Sequence, residues 1–184
     1  MIKTDTIIAL ATPPGIGAIS VIRLSGKDSI IISNKLFKPL NNTDLINQNT
    51  HTVSLGYIKD SDITIDKVLI SVFKAPKSYT GENIVEISCH GSVFIQQKII
   101  DLFTVNGCRL ADPGEFTLRA FLNGKMDLSQ AESVADLISS TSESSHKIAM
   151  DHMRGGFSND IKLLREELLN FASLIELELD FSEE

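Results

Sequence analysis

The sequence predicts an α+β fold: a mixed sheet with interspersed helices, followed by a segment that is helical throughout. Three observations carry this prediction. Over the first 110 residues, short runs rich in Ile and Val are separated by hairpin-length turns. Helical segments fall among them irregularly, without the regular strand–helix alternation of a doubly wound sheet. From Asp112 onward the apolar residues recur at helical spacing.

The elements follow in order. Thr6 to Ala11 reads as a short strand, broken by Pro13-Pro14-Gly15, and Ala18 to Leu24 as a second, closed by Ser25-Gly26. Asp28 to Phe37 reads as a helix with Asp28 as N-cap, and the polar, Asn-rich stretch from Asn41 to Thr50 as a loop. Thr52 to Ile58 and Ile63 to Phe73 form strands about a turn at Lys59-Asp60-Ser61-Asp62, with Val68, Ile70 and Val72 alternating against Leu69 and Ser71. Ser78 to Asn83 leads into a strand from Ile84 to Cys89. After Gly91, Val93 to Val105 is an amphipathic helix stopped by Asn106-Gly107.

Asp112-Pro113-Gly114-Glu115 has the composition of a helix start, with Asp112 as N-cap, Pro113 in the first position and Glu115 completing a capping box. That helix runs to about Asn123 and stops at Gly124. Ser129 and Glu132 have the spacing of another capping box, opening a helix to about Met150. Gly155-Gly156 interrupts the pattern. Ile161, Leu164, Leu168, Phe171, Ile175 and Leu179 then form a helical stripe, widened by Leu163, Leu174 and Leu177. A stripe this wide calls for partners on more than one side, so the segment reads as part of a larger helical domain or of a bundle completed by another subunit.

Bulk properties narrow the function classes. The 184 residues suffice for one good-sized core or one domain plus part of another. Hydrophobic content of 42% and charged content of 22% are ordinary for a globular protein. No apolar run approaches the roughly 20 residues of a membrane helix, and the opening MIKTDTIIALATPPG lacks the basic and apolar regions of a secretory signal. A cytoplasmic protein is expected. The net charge of −7 is uneven, with −6 of it after Gly156-Phe157, and Lys and Arg form no cluster that would release counterions from a nucleic acid. Cys89 and Cys108 suit neither a disulfide framework nor a metal site and read as reduced, partly buried thiols. The four histidines show no paired ligand spacing, so no metal site is expected.

Few residues advertise chemistry individually. Pro14-Gly15-Ile16-Gly17 could hold an anion, but it leads into a strand and lacks the Gly-Lys-Ser/Thr ending of a phosphate loop; Gly26-Lys27 and Gly124-Lys125 also fail that pattern. Arg23, inside an apolar run, either faces the solvated side of a sheet or pairs with something. Glu82 sits in a turn of small polar residues, as a solvent-facing acid would. Lys125, just past a helix-stopping Gly, could simply complement the helix dipole. Cys89 and His90 are neighbours on a strand, point to opposite faces and cannot form a nucleophile–base pair.

Three longer blocks are more specific: DTIIALATPPGIGAISVIRLSG (Asp5 to Gly26), SYTGENIVEISCHG (Ser78 to Gly91) and the run from Cys108 to Glu132 containing PGEFTLRAFLNGK. In order and spacing they resemble the tRNA-modification GTPase family MnmE, also called TrmE. Asn83, Ser92 and Met126 depart from residues more usual there, Asp, Gly and Leu.

The resemblance implies a tetrahydrofolate-binding and dimerisation domain over residues 1–122 and the first part of a helical domain over 123–184. A G domain with its P-loop and potassium site, and a C-terminal CIGK tail, are expected to lie outside this chain. It further implies that Arg23, Glu82 and Lys125 bind 5-formyltetrahydrofolate or another one-carbon tetrahydrofolate, and that the chain holds no catalytic or metal residues. In the full-length family member GTP, Mg2+ and K+ would serve GTP hydrolysis. Partners implied are a second copy, the flavoprotein MnmG and, through the whole complex, a tRNA whose wobble uridine receives a carboxymethylaminomethyl or aminomethyl group. The alternative is a dimerisation and interaction module whose folate pocket is idle.

Overall fold

In a computed structural model, which describes residues 5–41 and 44–182, with side chains through residue 178, the chain divides into two compact units, Met1–Lys125 and Met126–Glu184. Residues 42 and 43 of the expected loop, and the side chain of Leu179 in the expected stripe, lie outside the described residues.

The first unit is built on a seven-stranded sheet among the described residues: β1 (Ile7–Leu10), β2 (Ile19–Ser25), β3 (Phe37–Pro39), β4 (Thr52–Asp60), β5 (Ile63–Phe73), β6 (Ile84–His90) and β7 (Arg109–Leu110). Their spatial order is β3-β4-β5-β6-β2-β1-β7. Neighbours are antiparallel except β1 and β7, which run parallel, so the sheet is mixed. One face carries Ile22, Leu24, Val68, Ile70, Val72, Val85, Ile87 and Cys89. These form a single core with Ile30 and Ile32 of α1 (Ser29–Leu36) and Ile99 and Phe103 of α2 (Val93–Val105). Residues alternate across a strand, so Val53, Leu55 and Leu69 emerge on the opposite, exposed face. This is the α+β arrangement the sequence predicts.

Several boundaries differ, each for a local reason. The first helix ends at Leu36, because Phe37 turns extended and pairs with Ile58 as the start of β3. Its ring lies over Gly56, where any Cβ would collide with it. Asp28 occupies the N-cap position without a side-chain cap bond; its backbone N–H donates instead to Thr6 Oγ1 at 3.1 Å. Inside the expected loop, Leu45–Asn47 makes a 3-10 turn held by burial of Leu45 and by Asn34 Oδ1, which accepts the Leu45 N–H. The β4–β5 turn tightens to Ser61-Asp62, with Ser61 at a φ of 54°. The two-residue β7 gives too short a pattern to read from sequence.

The helix after Asp112 begins at Glu115. Gly114, at a φ of 75°, is its cap, so α3 spans Glu115–Leu122. The Glu115 carboxylate still accepts the Asp112 N–H at 2.8 Å, as a capping box requires, but three residues outside the helix proper.

In the second unit the single helix expected from Ser129 to Met150 is two, α4 (Leu128–Ser139) and α5 (Glu143–Met153). The break falls at Ser140-Thr141-Ser142, where hydroxyls compete with the helical ladder for backbone partners; Ser140 Oγ bonds the Leu137 carbonyl and Ser142 caps α5 through Ser145. The true capping box of α4 is Asp127 with Gln130, rather than Ser129 with Glu132. Gly155, at a φ of 85°, separates α5 from α6 (Gly156–Ser182).

Candidate functional site

The exposed face of the sheet is roofed at one end. Ile22 and Leu24 face the core, so Arg23 and Ser25, two residues apart on β2, emerge together on the other face. Two segments cover them: the connection from Lys74 to Asn83 between β5 and β6, and α3. Tyr79 of the connection and Phe116 of α3 both stack on Arg23, with its guanidinium carbon 5.4 and 5.6 Å from the ring centroids. Tyr79 Oη and Thr117 Oγ1 lie 2.9 Å apart, fastening connection to helix. Across the β2–β6 ladder, Arg23 faces its register partner Glu86, with N···O distances of 2.7 and 2.8 Å.

Glu82 stands at the inner end of this roof. Ser25 Oγ donates to Glu82 Oε2 at 2.7 Å. A carboxylate only accepts, so the second Ser25 contact, 2.7 Å to Thr80 Oγ1, takes its proton from Thr80. The Thr80 oxygen in turn accepts the Glu82 N–H at 3.2 Å. Both hydroxyl residues are fully buried. Arg119 Nη1 shares itself between the two Glu82 oxygens at 3.2 and 3.3 Å.

Behind Glu82 lies a charge cluster. Arg119, 5% exposed in its side chain, also bonds Asp5 at 2.8 Å and Glu115 at 3.0 Å. Arg109 reaches the same two carboxylates at 2.5 and 2.6 Å. The hydrogen bond from Arg109 draws the Asp5 carboxyl down to about 2 against the cost of burial, and Arg119 adds to the pull. Arg109 lowers Glu115 to about 2 in the same way, again against burial, with the Asp112 N–H and Arg119 assisting. Burial works against the Arg119 charge, yet its bonds to Glu115, Glu82 and Asp5 raise its pKa overall.

Lys125 closes the site. Its Nζ donates to the Pro76 carbonyl at 3.1 Å. Its methylenes run along Gly81, where an added Cβ would sit 3.3 Å from them. Asn123 Nδ2 donates to the Thr80 carbonyl at 2.7 Å. The connection is thereby held from below by β2 and from the side by α3 and the residues after it.

The three residues singled out from the sequence thus attach to one short connection. Arg23 stacks on Tyr79, Glu82 belongs to it, and Lys125 bonds Pro76 and lies on Gly81. Arg23 is paired as well as surface-facing, and Glu82 is a half-buried, triply bonded carboxylate, unlike a freely solvated loop acid. Sequence reasoning did not single out Ser25, Glu86, Tyr79, Phe116 or Arg119. Two signals were available. Strand alternation places Ser25 beside Arg23, and Glu115 and Arg119 have the i,i+4 spacing of a helical ion pair. Cys89 and Cys108, outside the site, are buried, and burial pushes their thiols up to about 11 and about 12, with Asp66 and Asp28 adding to it respectively.

Residues 6–125 match the family described as the GTP-binding protein TrmE N-terminus, and residues 128–184 match the MnmE helical domain. The chain is 67% identical over its whole length to a tRNA modification GTPase MnmE of Flavobacterium johnsoniae, covering 40% of that protein. It is 66% identical over 98% of its length to the protein of that name from Christiangramia forsetii, covering 38% of it. To that of Bacteroides fragilis it is 56% identical over 98% of its length, covering 39%. The chain therefore spans about 40% of the length of these relatives.

Proposed function

The chain belongs to the MnmE (TrmE) family, and from that premise we propose that its first unit binds a reduced folate through Glu82, Arg23 and Lys125 as part of a tRNA-modifying GTPase. The observation that carries this reading is the state of Glu82. Its carboxylate is held by Ser25 and Arg119 but remains 24% exposed in its side chain. An ionised carboxylate offers about four acceptor positions. With the Ser25 bond and one Arg119 nitrogen shared between the two oxygens in place, the exposed edge of the carboxylate suits the neighbouring ring N–H and exocyclic amine of a pterin, a two-pronged contact. Tyr79 and Phe116 offer aromatic surface beside it. Arg23 and Lys125 supply positive charge for the ligand's carbonyl or carboxylate oxygens. Bound 5-formyltetrahydrofolate would bring a one-carbon unit at the formyl oxidation level; the residues named here bind and orient it.

The remainder of the proposal concerns the longer protein. Two copies associate through the first unit, GTP hydrolysis with Mg2+ and K+ takes place outside this chain, and the flavoprotein MnmG acts with it on the wobble uridine of tRNA. The test is a calorimetric titration of 5-formyltetrahydrofolate into the chain and into Glu82→Ala. Binding should be present in the first and absent in the second, with an unchanged circular dichroism spectrum. Equal affinity for both removes Glu82 from the site, and no binding to either favours an interaction module with an idle pocket. The Arg23–Glu86 pair is the feature that second reading rests on, since it already neutralises Arg23.

A further inference from the structure

The charge cluster behind Glu82 is unevenly satisfied, and the unevenness points outward. Asp5 and Glu115 each receive both guanidiniums, and Glu115 also receives the Asp112 N–H. Glu82 receives a single Arg119 nitrogen, spread over both oxygens at 3.3 and 3.2 Å, and the Ser25 hydroxyl. Asp5, Glu115 and Glu82 thus share two guanidiniums, with Asp112 at the rim 3.7 Å from Arg109, and Glu82 is the one of the three that a single guanidinium reaches. A surface acid of a loop needs neither a buried arginine behind it nor two buried hydroxyls whose protons run toward it. Such a construction keeps a carboxylate in one orientation and compensates part of its charge while leaving the rest for a donor from outside.

We propose that Arg119 and Ser25 are positioning residues, which set the orientation and residual charge of Glu82 for a ligand edge bearing two adjacent N–H donors. This rests on the assignment of Glu82 to the folate site. Arg119 reaches Glu82 from α3 through Nη1, which also donates to the Asp5 carbonyl at 2.7 Å, while the Asp5 and Glu115 carboxylates draw on Nη2. Ser25 reaches it from β2 through a bond whose direction is imposed by the carboxylate. Neither residue needs to touch the ligand; both act through Glu82.

A double-mutant cycle tests this on the whole chain, with 5-formyltetrahydrofolate as the titrant. Glu82→Gln keeps the shape and one acceptor oxygen, so weakened binding stays measurable. Ser25→Ala removes one bond to an ionised acceptor and should weaken binding about tenfold. Arg119→Lys keeps a charge but loses the fork that reaches three carboxylates, and should weaken it by a similar factor. In the Glu82→Gln background, Ser25→Ala should add less than about a twofold change. A role in general stability alone would instead lower affinity equally in both backgrounds.

Wild-type affinity in Ser25→Ala, or an undiminished Ser25→Ala effect in the Glu82→Gln background, overturns the proposal while leaving Glu82 in the site. Wild-type affinity in Glu82→Gln together with Glu82→Ala overturns the Glu82 assignment and this inference with it. Should Arg119→Lys fail to fold, the Ser25 arm decides alone.

Discussion

The two units hold themselves together in different ways. The first packs the apolar side chains on one face of its sheet against the inner faces of α1 and α2, so its stability is that of a packed core. Among the described residues of the second, Ala149 is the buried apolar residue and Ser133 the buried polar one, while Leu163, Leu168, Phe171 and Leu174 of α6 are 59–64% exposed. The same residue types therefore do different work. In the first unit they provide the driving force of folding; in the second they form an amphipathic surface whose apolar stripe lies largely uncovered among the described residues. Helices of this kind depend on their caps and side-chain pairs to a degree that a packed sheet does not.

The largest expected effect breaks the comparison if it fails. Phe103→Ala, at the centre of the core with no exposed surface, should destabilise the first unit by about 3–5 kcal/mol through lost transfer energy and the cavity left behind. Leu168→Ala, 60% exposed, should change the stability of the second unit by no more than about 0.5 kcal/mol. Urea unfolding followed by circular dichroism measures both. Comparable losses would mean that α6 is covered in solution, and the distinction between the units would fall.

Acid should separate the units next. Glu115 falls from 4.5 in its free state to about 2 in the fold, mainly through Arg109. A depressed carboxyl pKa contributes stability that is complete above the unfolded value and is lost as pH falls through the folded one. The window for Glu115 is therefore from about 4.5 down to about 2. With a side chain 10% exposed, it should cost the first unit about 2 kcal/mol over that range. Asp5, a third exposed and fully cross-paired, adds less because solvent screens it. The urea midpoint of the first unit, followed from pH 6 to pH 2.5, should fall in this window, and Glu115→Gln should flatten the slope. An unchanged slope would remove the Arg109–Glu115–Arg119 cluster from the energetics.

How far the sequence reveals these features depends on whether their cause is local. The period-2 burial of β5, the amphipathic α2 and the apolar stripe of α6 are properties of consecutive residues, and sequence reasoning places all three. Phe37 belongs to β3 because Ile58 lies opposite it and Gly56 lies under its ring, residues about twenty positions away in the chain. The start of α3 shifts by two residues because Gly114 adopts a left-handed conformation that leaves Asp112 outside the helix. The site divides in the same manner. Arg23, Glu82 and Lys125 can be singled out by family resemblance, but their common attachment to the Lys74–Asn83 connection requires the fold. Arg119 looks like one arginine of an ordinary helical ion pair until the fold brings Asp5 and Glu82 to it from elsewhere in the chain.

The smallest effect concerns two aspartates that stand at helix starts. Asp127 caps α4: its side chain accepts the Gln130 N–H at 2.8 Å, and Gln130 reaches back to the Asp127 N–H at 2.9 Å. Asp127 also accepts the Ser158 hydroxyl at 2.7 Å. The Gln130 backbone bond, then Ser158, lowers its pKa. Removing such a cap costs about 1 kcal/mol, so Asp127→Ala should lower the helical content or melting temperature of the second unit measurably. Asp28 occupies the corresponding position of α1 but makes no side-chain cap bond, and Asp28→Ala should stay within about 0.5 kcal/mol. Sequence reasoning assigns the cap to Asp28 in the one helix and to Ser129 in the other, whereas the working cap of α4 is Asp127. The two aspartates differ because α1 is fixed by burial of Ser29, Ile30, Ile32 and Ser33, whereas α4 buries Ser133 alone among its residues. Equal losses at the two positions would show that α1 depends on its terminus as much as α4 does, and would return cap and core to the same footing in both units.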